Sequence, residues 1–212
     1  MGDLGLSAAD LDRHIAWDIG AAALARRLAD LLEAELVLQA YSRLVADCNR
    51  DPSSPEIAPE ISDGSVIPGN AGLDEADLRA RIEDIHTPYH AAIAAALDRK
   101  GPSAALVSIH SFTPEMQGFA RPWHVGVLHE HDSPASGRML EALAKAGGLV
   151  VGDNQPYAMD GQDYTIPRHA QGRGLDYLEL EIRQDLIADE TGQARMAALL
   201  APLISAALAS AG

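Results

Sequence analysis

Leu178-Glu179-Leu180-Glu181-Ile182-Arg183 alternates apolar and charged residues with a period of two. That pattern predicts a half-buried strand, with the leucines and Ile182 facing a core and Glu179, Glu181 and Arg183 on the other side. Working outward, Leu149-Val150-Val151, Trp123 to Leu128 and Ala104 to Ile109 are further short β-like runs, and His110 follows the last at its C-terminal edge. Ser136 to Ala146 and Thr191 to Ala211 have helical periodicity between and after them. Upstream, Asp74 to Lys100 reads as a long helix opened by Asp74-Glu75, whose charges suit a helix N-terminus, with a kink or break near Thr87 because Pro88 interrupts it. Asp51 to Gly72 carries Pro52, Pro55, Pro59 and Pro68 among glycines and reads as a loop. Asp10 to Glu35 reads as one helix on the spacing of Leu24, Leu28, Leu31 and Leu32, followed by extended pieces at Leu36-Val37-Leu38 and Arg43-Leu44-Val45. Strands alternating with helices predict a single α/β domain over residues 1–212. Its central sheet is expected to be mostly parallel or mixed and covered on both faces.

The chain of 212 residues has a formal charge of −15 and a pI near 4.7. Phosphate binding draws on clustered Lys and Arg, so this balance argues against nucleic acid and against an anionic membrane surface. A small acidic substrate is compatible with it, because a few placed arginines act locally against the global field. No apolar run reaches the roughly 20 residues that span a bilayer, and Met1-Gly2-Asp3-Leu4-Gly5 does not begin a signal peptide, so a cytoplasmic location is expected. Cys48 is the only cysteine. An intrachain disulfide and a zinc site built on several thiolates are therefore excluded, and any metal must be held by His and carboxylates. Oligomeric state leaves no mark in these features.

Four strings have the residue types that chemistry needs. His110, in Ser108-Ile109-His110-Ser111-Phe112-Thr113-Pro114, stands at a strand end, where α/β proteins place ligands. It reads as a metal ligand, an acid–base group or a hydrogen-bonded structural histidine. Glu181 and Arg183, two apart, point the same way. They form either a general-base face toward a bound water or a solvated edge-strand face. In Ser42-Arg43-Leu44-Val45-Ala46-Asp47-Cys48-Asn49-Arg50, the guanidiniums and Asn49 suit a carboxylate, or else Arg50 pairs with one of the chain's many acids. His14 and Asp18, four apart, are either two metal ligands or a surface ion pair on a helix. His129-Glu130-His131-Asp132 reads as a turn without a metal, with His124 close by, and the Gly69–Gly72 and Gly172–Gly174 pairs lack a phosphate-loop pattern.

Taken in order, several strings resemble the N-formylglutamate amidohydrolase family. They are His14-Ile15-Ala16-Trp17-Asp18-Ile19-Gly20-Ala21, Ser42 to Arg50, Ile67-Pro68-Gly69-Asn70, Tyr89-His90 and Ser108 to Pro114. Gly152-Asp153-Asn154 with Pro156-Tyr157, Tyr164 to His169 and Glu179 to Ile187 complete the set. The resemblance runs over nearly the whole chain. It implies a three-layer phosphorylase/hydrolase-like α/β fold similar to zinc carboxypeptidases. It also implies hydrolysis of the amide of an N-formyl or N-acyl acidic amino acid such as N-formyl-L-glutamate, with a divalent metal, zinc by preference, activating water. Carried over by residue, the resemblance assigns His110 and Asp18 to the metal and Glu181 to the general base. Arg183 falls to holding Glu181 or a substrate oxygen, and Arg50 with Asn49 and Arg43 to the substrate carboxylate. Family members usually begin with a further strand ending in an Asp-His-Ala-Ser-Asn-like turn whose His is a first metal ligand, and this chain starts after that turn. A non-catalytic binder of an acidic metabolite and an N-acyl hydrolase with a different acyl group fit the same residues.

Overall fold

The computed structural model describes residues 2–130, 133–159 and 161–209. In chain order the elements are α1 (Ala8–Leu11), α2 (Ala21–Leu32), β1 (Ile61–Ser62), β2 (Ser65–Val66), α3 (Glu75–Arg81), α4 (Thr87–Lys100), β3 (Ala105–Phe112), β4 (Glu115–Met116) and β5 (Phe119–Ala120). After these come β6 (Val125–Leu128), α5 (Pro134–Ala146), β7 (Val151–Asp153), α6 (Thr165–His169), β8 (Asp176–Arg183) and α7 (Glu190–Leu208). The chain divides into two compact units: Met1–Trp17, Val37–Arg99 and Gly161–Thr165 form the first, and the remainder the second.

The second unit holds the expected α/β architecture, a central mixed sheet flanked by helices. Strand order is β3-β8-β6-β7, with β3/β8 and β6/β7 parallel and β8/β6 antiparallel. Directly paired residues lie on the same side of a sheet, so the register sorts the side chains. Leu178, Leu180, Ile182, Val125 and Val127 form one face, buried with Leu24 and Leu28 of α2, Met139 and Leu143 of α5, and Met196, Leu200 and Ile204 of α7. The opposite face carries Ser108, His110 and Phe112 of β3 alongside Glu179, Glu181 and Arg183 of β8. Near the start of these strands that face is covered by Ile166 and Ala170, packed with Leu106 and Tyr177.

Strand β8 is thus interior, flanked on both sides, and its polar face is not a solvated edge. Glu179 is only 2% exposed and Glu181 only 7%. The alternation correctly predicted two faces, but not that both are buried. Alternation reports side-chain chemistry and says nothing of what covers the polar side.

The first unit departs more from expectation. The single helix over Asp10 to Glu35 is two helices, because residues 12–20 form turns. The carbonyl of Ala16 accepts from Ser42 Oγ at 2.7 Å and Arg43 N at 3.1 Å, so it is unavailable to a continuing helix. Leu36-Val37-Leu38 and Arg43-Leu44-Val45 are not strands. Leu44 and Val45 are apolar because they are buried with Ile15, Ala16, Ile67 and Ile85, in a turn. Pro88 does not break the helical run, which continues without interruption from α3 into α4. Its ring lacks an N–H and crowds the carbonyl four residues back, and a π-helical segment, Ile82–His86, precedes α4.

The proline-rich loop is held by a buried polar staple. Asn70, 1% exposed, donates to the carbonyls of Leu44 and Pro59 at 2.9 Å each, and its oxygen accepts from Arg81 Nη1 at 2.7 Å. Arg81 also donates to the carbonyls of Val45 and Gly69. Asn70→Ala leaves buried acceptors and a guanidinium donor unpaired, and we expect a stability loss of about 1–3 kcal/mol by urea denaturation. A loss within experimental error would remove this staple from the account of the loop.

Candidate functional site

In the second unit the polar face of the sheet converges on His110. The residue lies within β3, which runs to Phe112 rather than ending at Ile109, and it pairs in register with Glu181. Its Nδ1 is 2.7 Å from Asp18 Oδ2, and its Nε2 is 3.0 Å from Ser108 Oγ and 3.7 Å from Glu179 Oε1. Asp18 is brought there by the turn before α2. Gly20 has φ +79, and a Cβ at that position would collide with the Ile187 carbonyl oxygen, so only glycine fits. Ser111 Oγ donates to the Ile19 carbonyl at 2.9 Å and fixes the same turn.

Burial opposes charge on His110. The hydrogen bond and charge of Asp18, with Glu181 and Glu179 nearby, overcome it and push the imidazole up to about 10. His110 is therefore an imidazolium at neutral pH, which compensates a cluster of carboxylates on an interior face.

On the same face Gly126 of β6 lies opposite Glu181. A Cβ on Gly126 would collide with the Gln155 carbonyl oxygen and stand 3.4 Å from Glu181 Cβ, so the segment around Gln155 crosses the sheet beside Glu181. Arg183 closes its fork on Asp185, at 2.8 Å and 3.1 Å, and donates through Nη1 to the Arg121 carbonyl at 3.4 Å.

In the first unit Arg43 Nε pairs with Asp47 Oδ2 at 3.2 Å. Asn49 is bonded on both sides of its amide. Its oxygen accepts from the Tyr164 and Thr165 amides at 3.1 Å and 3.0 Å, and its nitrogen donates to Asp163 at 2.9 Å. Arg50 donates to the carbonyls of Asn49 and Gln162 at 3.0 Å and 3.3 Å, and among the described residues no carboxylate pairs with it. The turn carrying it is tied to α4 and the π segment by imidazoles. His86 Nε2 lies 3.0 Å from the Arg50 carbonyl, His90 Nε2 lies 2.9 Å from that of Cys48, and the ring of Tyr164 packs against both.

His14 and Asp18 lie in turns rather than on one helix face, and His14 Nε2 is 3.3 Å from Asp63. His129 follows β6, with its Nε2 2.8 Å from Asp153 Oδ1, while His131 and Asp132 lie outside the described residues. Glu179 and Arg121 carry no role assigned from the sequence. The signal for Glu179 was its period of two with Glu181, and for Arg121 there was none before the fold brought Thr113 and Tyr157 to it.

A zinc site made of imidazole and carboxylates needs about three donors facing one point. Among the described residues no group of three or more His, Cys, Asp or Glu has that arrangement. Asp18 and His110 are bonded to each other, so the described residues do not by themselves fit the ion.

The family model for N-formylglutamate amidohydrolase matches residues 2–188. The chain is similar to the gene product Atu2144 from Agrobacterium tumefaciens, with 43% identity over 99% of this chain and 84% of that one and a TM-score of 0.93. It is also similar in fold to an N-formylglutamate amidohydrolase from Ralstonia eutropha JMP134, with 18% identity over 96% of this chain and 86% of that one and a TM-score of 0.59. No curated protein matches it.

Because the folded value for His110 exceeds the ordinary 6.5, the stability that its ion pair contributes is complete below about pH 6.5 and is lost as pH rises toward about 10. We expect NMR titration to place His110 well above neutrality and Asp18→Asn to lower it. A wild-type midpoint at or below 6.5 would show that Asp18 does not hold the proton.

Proposed function

The chain belongs to the N-formylglutamate amidohydrolase family, and from that membership we propose that it hydrolyses the N-formyl or N-acyl amide of an acidic amino acid, N-formyl-L-glutamate being the leading substrate. The reading is carried by one observation: a buried carboxylate, Glu181, paired in register with the Asp18-bound imidazole of His110 on the polar face of the sheet. A carboxylate on this face can accept a proton from a water held beside it.

In this proposal Glu181 takes a proton from the water that attacks the formyl carbon and returns it to the leaving amine nitrogen. Asp18 orients His110, whose positive charge favours the oxyanion that develops on the carbonyl. Ser108 and Glu179 hold the second nitrogen of that ring. Arg183, closed on Asp185, fixes the end of β8 just beyond Glu181. The substrate carboxylate is assigned by the same family likeness to Asn49, Arg50 and Arg43. Of these, Arg50 is supported best, since its guanidinium donates to carbonyls and meets no acid among the described residues.

Zinc or another divalent ion, when bound, lowers the pKa of water toward about 7. Metal dependence rests here on family membership alone. About one tightly held divalent ion per purified chain would support it, and a metal-free chain with full activity would refute it. Composition and the lone cysteine support a cytoplasmic location, and among the described residues no helix is long and apolar enough to cross a membrane.

Glu181→Gln is expected to lower kcat for N-formyl-L-glutamate by about 10²–10⁴-fold with KM near the wild-type value. Wild-type rates in a correctly folded Glu181→Gln enzyme would remove Glu181 as the base.

A further inference from the structure

The second unit contains a cavity of about 280 Å³ that none of the assignments above uses. Its walls are Met116 and Phe119 from the β4–β5 hairpin, Arg121 and Trp123 from the segment before β6, and Gln155-Pro156 from the segment that crosses Gly126. The hairpin turns through Gln117 and Gly118, both with positive φ (51° and 79°), and this lets two very short strands present their side chains at the mouth. Phe119 is 62% exposed there.

Arg121 is only 8% exposed, yet every partner of its guanidinium is neutral. Nη1 donates to Thr113 Oγ1 at 3.2 Å and to Tyr157 Oη at 3.0 Å, and Nη2 to Met116 Sδ at 2.9 Å. The guanidinium carbon stands 4.9 Å from the Tyr157 ring centroid and 5.9 Å from that of Phe112. Among the described residues no carboxylate pairs with it, in a chain with 31 acidic residues to choose from. A buried cation without a counter-charge is costly, and aromatic faces and neutral acceptors offset only part of that cost. These contacts use three of its five N–H donors, leaving two toward a further acceptor.

The position is equally informative. Thr113 and Pro114 directly follow β3, Arg183 ends β8, and Arg121 is tied to both through its amide on the Pro114 carbonyl (2.8 Å) and its carbonyl under Arg183 Nη1 (3.4 Å). The site therefore lies at the carboxyl ends of the two parallel strands that carry His110 and Glu181. Those two residues pair two positions, about 7 Å of strand, before Phe112 and Arg183. Ligands of α/β sheets bind beyond such strand ends.

We propose that this cavity is a carboxylate subsite in which Arg121 receives a carboxylate of the ligand bidentately and Phe119 and Trp123 cover its carbon chain. The identification of that ligand as an N-acyl acidic amino acid rests on the hydrolase reading. The subsite itself does not. Arg121 is thus a specificity-determining residue that selects acidic substrates.

Calorimetry on the full chain with glutarate, which has no amide to cleave, tests the subsite without turnover. We expect glutarate to bind and its diamide to bind at least about 10-fold more weakly. Arg121→Gln should weaken glutarate binding by about 10-fold or more, and Arg121→Lys less, since an ammonium keeps the charge but loses the fork. Gln117→Glu, an isosteric change at an exposed position, should weaken it several-fold in a manner relieved by salt. This variant decides the matter if Arg121→Gln fails to fold by circular dichroism. With N-formyl-L-glutamate, Arg121→Gln should raise KM far more than it lowers kcat. N-formyl-L-glutamine and the α-amide of N-formyl-L-glutamate then identify which carboxylate Arg121 receives.

Equal binding of glutarate and its diamide by the wild-type chain, or unchanged glutarate binding in Arg121→Gln, overturns the proposal. Glutarate binding that depends on Arg121 in a chain that hydrolyses no N-formyl amino acid leaves the subsite standing and removes the hydrolase. Hydrolysis with a KM indifferent to Arg121→Gln does the reverse.

Discussion

Carboxylates on an interior strand must be compensated in place, and the second unit is organised around how Glu179 and Glu181 are. An uncompensated buried carboxylate costs several kcal/mol, enough to consume much of a domain's net stability. Part of that compensation is one imidazole, held as a cation by Asp18 and facing Glu179 through its other nitrogen. That arrangement requires the turn at Asp18-Ile19-Gly20, which in turn requires a glycine against the Ile187 carbonyl and a hydroxyl from Ser111. The apolar face of the same strand supplies the adhesion, through Leu178, Leu180 and Ile182 against α2, α5 and α7. One strand thus holds the core on one side and a charged layer on the other.

Arginine use separates structural from receptive positions in an acidic chain. Arg43 and Arg183 close on Asp47 and Asp185, and Arg81 is consumed by Asn70 and backbone carbonyls. Arg50 in the first unit and Arg121 in the second meet only neutral groups among the described residues. A guanidinium that meets no acid among the described residues keeps its charge for something else. The imidazoles of His86 and His90 serve the opposite purpose. By holding the carbonyls of Arg50 and Cys48 they fix a turn, and the π segment before Pro88 brings His86 into place for that.

The local sequence determined a good deal of this. The alternation over β8, the apolar runs at β3, β6 and β7, the cap signal of α3 and the proline-rich loop before it were legible because each depends on neighbours within a few residues. The family likeness was legible for the same reason, since its motifs are short strings in a fixed order. Leu36–Leu38 and Arg43–Val45 misled because an apolar triplet records burial without recording which backbone conformation achieves it. The long first helix misled because what stops it, Ser42 and Arg43 on the Ala16 carbonyl, lies some 26 residues away.

What only the tertiary structure decided is which polar groups lose water and whom they meet. Glu181 reads the same on a solvated edge as on an interior strand, and the difference is the neighbour on its second side, β6. His110 becomes a cation because a residue 92 positions away arrives within 2.7 Å. Arg121 becomes noteworthy only when the fold encloses it without an acid. Desolvation and charge pairing act through space over a few ångströms. Sequence spacing measures distance along the chain, so it carries the elements of this protein but not the electrostatics of its site.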